Sequence, residues 1–398
     1  MPPLAHASAS PSAAHRWLKC TACVEAESHF QDKGSIYADE GSLAHELAEA
    51  WIENPDFGLP ETYTYNGPEE SLRNKIKKFY ADHPELEGSF KEMSDYLEPY
   101  IDYVNEEFND AKHRDPGAVR MTEQRTDLSK WVPGGFGTTD VAIVSGDKLE
   151  IIDLKYGKGV PVDAKDNPQL KLYALGMYEL LSEVYDIATV KMVIYQPRLD
   201  SVRWDEMSVA DLLKWGNEVV KPAAEKALNG KGEFMPGEHC QFCKARNVCR
   251  ARAEMYMKLG EYKQKAFLTN AEIAEILGYI DGLVKWADGL KENVLSRALE
   301  GEEFPGWKVV EGRSNRKYAA PDDKIAEAAV KAGYDNALLW EKKLLTLSAM
   351  EKLMGKKDFE KVLGKMIEKP QGKPTLAPDK DPRPSLLNTA ADDFADEI

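Results

Sequence analysis

Between residues 118 and 156 three extended segments follow one another too closely for a helix to lie between them. Residues 118–126, 135–144 and 148–156 read as strands, and Ser145-Gly146-Asp147 joins the last two by a tight turn. A strongly helical run over 167–185 follows, then a buried strand over 189–196 that Pro197 ends. Ahead of them all, residues 40–53 form an amphipathic pattern with Leu43, Leu47 and Trp51 spaced for one buried face. The order helix, three strands, helix, strand predicts an α/β fold, a small mixed sheet flanked by helices.

The remaining chain is mostly helical in pattern. Ser10-Pro11 starts a first helix that runs to Cys20, an acidic helical stretch over 86–110 ends before Pro116-Gly117, and residues 208–229 read as another helix. From about residue 262 the composition turns to Lys/Glu/Leu-rich helices, interrupted near 306–318 by a short β segment. Three divisions are expected: residues 1–255 as one domain, 256–367 as a helical C-terminal domain, and 368–398 as a linker and tail. Pro370, Pro374, Pro378, Pro382 and Pro384 exclude regular structure from the linker, and the acidic end is expected to be disordered.

Apolar runs such as 141–144 are far shorter than the roughly 20 residues a membrane span needs. With no charged-then-apolar leader pattern either, a cytoplasmic location and no membrane partner are expected. Five cysteines in 398 residues are too few for a disulfide framework. The net charge of −16 works against nonspecific attraction to a polyanion, so contact with nucleic acid has to be local or carried by bound cations.

Chemistry concentrates around Gly137-x-x-Asp140 and Asp153-Leu154-Lys155. Period-two alternation puts Leu149, Ile151, Asp153 and Lys155 on one face of the third strand. Burying Asp153 in so apolar a segment without a partner costs several kcal/mol, so a metal or the lysine is expected beside it. Phosphodiester hydrolysis needs charge stabilisation and an activated water, which Mg2+ or Mn2+ supplies. The expected ligands are Asp140, Asp153, the imidazole of His45 and the backbone carbonyl of Leu154, with Glu123 as an additional ligand or support. Lys155 is expected to hold the attacking water or the scissile phosphate, and Gln169 and Tyr173 lie four apart on one helix side.

A second constellation is Cys240-x-x-Cys243-x5-Cys249, whose spacing is that of ligands. A fourth thiol has to come from Cys20 or Cys23, completing either a zinc site or an iron-sulfur cluster. Farther on, Trp307, Arg313, Arg316, Lys317 and Tyr318, with Lys342, Lys343, Lys356, Lys357, Lys361 and Lys365, offer a basic and aromatic run that suits a nucleic-acid backbone.

Taken together, these motifs resemble the PD-(D/E)XK (restriction-endonuclease-like) nuclease superfamily, in its RecB-like iron-sulfur branch with the CRISPR-adaptation exonucleases. The opening Ser12-Ala13-Ala14-His15-Arg16-Trp17-Leu18-Lys19-Cys20 looks like that of a phage and prophage family. The resemblance spans roughly residues 8–255, with a weaker match over 306–318. Glu40-Gly41-x-x-x-His45 matches the histidine motif, Gly137-x-x-Asp140 the first carboxylate, Asp153-x-Lys155 the namesake motif, and Gln169-x-x-x-Tyr173 the motif that contacts DNA near the cut. The resemblance implies a 4Fe-4S cluster on Cys20, Cys240, Cys243 and Cys249, with Cys23 a bystander; Zn2+ on Cys20, Cys23, Cys240 and Cys243 stays open. It implies a divalent-metal-dependent DNA exonuclease of phage type, resecting DNA ends for recombination or repair and handing the strand to an annealing or recombination protein. The alternatives are a non-catalytic iron-sulfur DNA-binding or assembly protein and a structure-selective endonuclease.

Overall fold

The computed structural model describes residues 7–30, 34–54, 68–86, 88–257, 269–310, 321–332, 339 and 346–367. Its chain contacts divide into two units, Met1–Val309 and Val310–Ile398.

The first unit is built on a five-stranded sheet in the order β1-β2-β3-β4-β5. The strands are β1 (Val119–Asp127), β2 (Phe136–Ser145), β3 (Lys148–Leu154), β4 (Thr189–Gln196) and β5 (Ser201–Ser208). β1, β2 and β3 form an antiparallel meander, β3 and β4 pair in parallel, and β5 closes antiparallel on β4. Parallel pairing requires a crossover, and the helix between β3 and β4 provides it. The mixed sheet flanked by helices is therefore the architecture the element order called for.

The first unit's helices are α1 (Ala14–Trp17), α2 (Cys23–Ser28), α3 (Ile36–Glu53), α4 (Pro68–Asp82), α5 (Phe90–Arg114), α6 (Pro168–Leu181), α7 (Val209–Trp215), α8 (Lys221–Leu228), α9 (Arg250–Met257) and α10 (Asn270–Leu299). Ser35 and Ser89 cap α3 and α5 by accepting the amides of Ala38 and Glu92, and Asn167 accepts two amides at the start of α6.

Alternation along β3 sorts the two faces of the sheet. Leu149 and Ile151 join Ala142, Val144, Met192 and Ile194 under α6, while Ile152 joins Val141, Ile143 and Val193 against α3 and α5. Each such fully buried aliphatic side chain is worth about 1.5–3 kcal/mol, so the register that carries this alternation is strongly held.

Three expectations change. β5 was not anticipated; Val202 and Trp204 remain exposed, so the strand lacks the half-buried alternation that marks one. The helix expected over 208–229 is interrupted by a π turn over Gly216–Val220, where a Cβ on residue 216 would meet the Trp131 indole nitrogen at 2.8 Å. Residues 306–310 contain no strand, and 311–318 lie outside the described residues, as do Lys342, Lys343 and the expected linker and tail.

In the second unit the described helices are α11 (Asp322–Lys331), α12 (Leu347–Met354) and α13 (Lys356–Leu363), with Phe359 buried. Lys361 and Lys365 are exposed.

Candidate metal centre and cysteine cavity

β1 and β2 run in register on both sides of one position: Thr122 faces Val141 and Gln124 faces Thr139. That register sets Glu123 opposite Asp140. Glu123 has φ +41°, a left-handed conformation that a side chain other than glycine adopts at a cost, and such strain gathers at functional sites. From the other direction α3 brings in His45, whose Nδ1 lies 3.4 Å from Asp140 Oδ2 and 4.0 Å from Glu123 Oε1. Among the described residues these three form a group whose ligand atoms all lie within 4.8 Å of one another.

Asp153 and Lys155 stand beside them. Asp153 is 2% exposed, and its Oδ1 accepts hydrogen bonds from Lys155 Nζ and Gln169 Nε2, each at 3.2 Å. Its Oδ2 lies 2.9 Å from Lys155 Nζ but has no aligned hydrogen bond. The distance establishes an ion pair; the alignment leaves that oxygen's lone pairs unclaimed. Gln169 also donates to the Tyr173 hydroxyl at 3.0 Å. Leu154 enters by its amide, which donates to Asp140 Oδ2 at 2.7 Å, while its side chain belongs to the apolar core.

Charge is crowded here. Burial and repulsion from Asp140 push Glu123 up to about 7, and burial, opposed by Lys155, pushes Asp153 up to about 6. Burial works against a charged His45, but Asp140 outweighs it and raises the imidazole to about 9. Burial likewise opposes the Asp140 carboxylate, yet His45, Lys155 and the Leu154 amide hold it below its ordinary range. Three carboxyl groups, two of them penalised for ionising, and an unclaimed buried oxygen make a donor set that fits a hard divalent cation.

Supports that the sequence did not reveal hold α3 in place. Glu40 is buried and pairs with Arg198 at 3.1 Å, and it accepts a hydrogen bond from the Tyr80 hydroxyl. Arg198 lies over the rings of Tyr156 at 5.0 Å and Tyr96 at 5.7 Å. Gly137 is required for a different reason: a Cβ there would meet Pro11 at 2.9 Å and the Tyr173 ring at 3.0 Å. Neither role leaves a local mark, since each depends on a partner distant in the chain.

All five cysteines line one cavity, with Arg16, Met235, His239 and Arg252 among its other walls. Its two sides come from residues 20–23 and 240–249. Thr21 Oγ1 accepts the Glu233 amide at 2.8 Å, the Ala22 amide donates to the Glu233 carbonyl at 3.2 Å, and Glu27 accepts from both Arg16 and the Lys244 amide. A Cβ on Gly232 would strike the Ala22 backbone at 2.5 Å, so this approach requires glycine. Backbone amides of Met235 and Gly237 point at Cys20 Sγ and Cys240 Sγ, each at 3.4 Å. Cys23 also lines the cavity, and Cys23 and His239, against burial, hold the Cys20 thiol down at about 4. Backbone amides aimed at sulfur and five thiols on one cavity suit a thiolate-held group.

A family model described as a protein of unknown function (DUF2800) matches residues 6–384. The chain belongs to the DUF2800 family. The match takes in both the carboxylate centre and the cysteine cavity. Among solved structures, the DUF2800 chain is similar to one from Eubacterium rectale described as a "putative exonuclease", at 13% identity and a TM-score of 0.32, over 67% of this chain and 91% of that one. It is also similar to the protein SSO0001, at 15% identity and a TM-score of 0.21, over 52% and 95% of the two chains. No residue role passes from either to this chain. No described helix is long and apolar enough to cross a membrane.

Proposed function

We propose that this protein is a divalent-metal-dependent deoxyribonuclease of the PD-(D/E)XK type, acting as an exonuclease on DNA ends. One observation carries the reading: α3, β1 and β2, remote from one another in sequence, deliver His45, Glu123 and Asp140 to a single point beside Asp153 and Lys155. A divalent ion, when bound, stabilises charge on the phosphate and makes its water acidic. His45, Glu123, Asp140 and Asp153 are the residues that hold it. Lys155 faces the same site, where its ammonium orients the attacking water or the scissile phosphate. Gln169 fixes Asp153 from α6 and donates to the Tyr173 hydroxyl, whose ring is buried beside Gly137, and through these contacts the pair shapes the site's α6 side.

The cysteine cavity is read as a 4Fe-4S site on Cys20, Cys240, Cys243 and Cys249 that ties the first helices to the end of the nuclease core. Resection of phage-type DNA ends for a recombination or annealing partner, inside the cytoplasm, is the setting we propose. Linear and covalently closed duplexes, incubated with Mn2+, Mg2+ or EDTA, test the activity. Cleavage of the linear form alone, only with metal and not by Asp153→Asn, is expected; no cleavage of either form by the metal-loaded chain contradicts it.

A further inference from the structure

The cysteine cavity holds one thiol more than four-fold ligation uses, and the extra one is not placed at random. Cys20-Thr21-Ala22-Cys23 is closed by a turn in which the Cys23 amide donates to the Cys20 carbonyl at 3.0 Å. A turn of that kind keeps the two Cα atoms within about 7 Å, the range a disulfide spans. Both side chains are buried and line the same cavity. Cys240, Cys243 and Cys249 stand on the opposite segment, more than 200 residues away in the chain, with the Glu27, Thr21 and Glu233 hydrogen bonds among the contacts that bring it near. The arrangement provides each thiol of the first segment with a neighbour four positions or fewer away, independent of whether the cavity is filled.

We propose that Cys20 and Cys23 form an oxidation site: when the cavity is empty of its thiolate-bound group, a peroxide closes them to a disulfide that withdraws Cys20 from ligation. The Cys20 thiolate attacks the peroxide O–O bond, which breaks; sulfur takes up one hydroxyl as a sulfenic acid, and the other oxygen leaves as water after protonation. The Cys23 sulfur then attacks the Cys20 sulfur, the S–O bond breaks, and the departing hydroxide accepts the Cys23 proton as a second water. The thiols lose two electrons and the peroxide gains them. A disulfide sulfur is not a thiolate donor, so the cavity refills only after a reductant has reopened the pair. Occupied by its group, Cys20 is engaged and the pair stays open. This inference rests on the reading of the cavity as a thiolate-held site and is separate from the nuclease activity.

The test uses the full chain, stripped of metal by chelation, exposed to hydrogen peroxide and then alkylated. Cleavage after Lys19 and Lys33 places both cysteines in one peptide, so closure appears as a peptide two hydrogens lighter that takes up no alkyl group. Expected are that closed peptide in most of the chain, full reversal by dithiothreitol, and alkylated Cys240, Cys243 and Cys249. Cys23→Ser is expected to leave Cys20 as a sulfenic or higher acid. Two alkylated thiols in peroxide-treated wild type, or Cys20 joined to Cys240 or Cys243, overturns the proposal. Nuclease activity is not read in this experiment, so its failure leaves the metal centre untouched, and loss of cleavage in Asp153→Asn leaves the disulfide untouched.

Discussion

The carboxylate centre and the cysteine cavity are both gatherings of metal-type ligands, yet they are held together by different means. Glu123, Asp140, Asp153 and Lys155 sit on strands whose register is fixed by cores on both faces of the sheet, and His45 is carried by a helix anchored through Glu40 and Arg198. The cavity joins segments more than 200 residues apart through a few hydrogen bonds, one glycine contact, the His15–Phe242 ring contact and the shared burial of Trp17, Cys20, Cys23, Cys243 and Ala245. The first site is thus preorganised by the fold and strained by it, whereas the second, in the reading proposed above, also draws on the group its thiols would hold.

The largest effect expected from this contrast is on catalysis. Asp153→Asn should lower cleavage of linear duplex by about 10³–10⁴-fold while the thermal midpoint stays unchanged or rises, because a penalised buried charge is removed; Lys155→Ala should match the rate loss but lower the midpoint, because it leaves Asp153 buried without its cation. Rates from gel assays and midpoints from calorimetry check both halves. A midpoint that collapses with activity in Asp153→Asn breaks the contrast.

Removal of the cysteine-bound group should act the other way. Tying residue 20 to residue 249 through the proposed group closes a loop of a length worth about 5.5 kcal/mol in chain entropy, so chelation should lower stability by up to that amount. Hydrogen exchange should quicken over residues 10–30 and 233–249 while β2 and β3 stay protected. Uniform exchange across both regions contradicts the difference in support.

Glu40→Ala should be close behind, at about 3–5 kcal/mol, since it strands Arg198 with its charge buried. Denaturant unfolding measures this; a change under 1 kcal/mol means that α3 is anchored elsewhere.

Glu150 provides the smallest effect and the sharpest control. It is a buried carboxyl 2.7 Å from Lys191, which also pairs with Glu107 at 2.8 Å, on the sheet face away from α6. Burial, opposed by Lys191, raises it from 4.5 to about 7. A folded value above the unfolded one means that protonation favours the native state, so the wild type loses stability as pH climbs through that window. Glu150→Gln lacks the titration and should gain on the wild type by about 1–3 kcal/mol between pH 5 and pH 8. A difference that is flat or reversed in pH removes the claim. Here burial raises a carboxyl with no imidazole or third acid beside it, so a raised value alone does not make a metal centre.

What could be read from the sequence follows the same division. Short-range patterns named the strands, because alternation at Leu149, Ile151 and Asp153 and the Ser145-Gly146-Asp147 turn are local. They also placed Asp140, Asp153, Lys155, Gln169 and Tyr173 on elements that the sheet order brings together. Glu123 was only an additional candidate, since its left-handed backbone exists only against β2. Arg198 and Gly232 were invisible, and Gly137 was seen only as part of a motif, because their roles lie in contacts with distant segments. β5 escaped for a related reason: an edge strand with Trp204 open to solvent has no second face to impose a pattern.

The central claim is that side chains from α3, β1 and β2 share one cation. Titration of the metal-free chain with Mn2+ by calorimetry, beside His45→Ala, Glu123→Gln and Asp140→Asn, tests it directly. Affinity weakened about tenfold or more in each variant, with folding intact, is the expected result; equal binding by all four chains would contradict it.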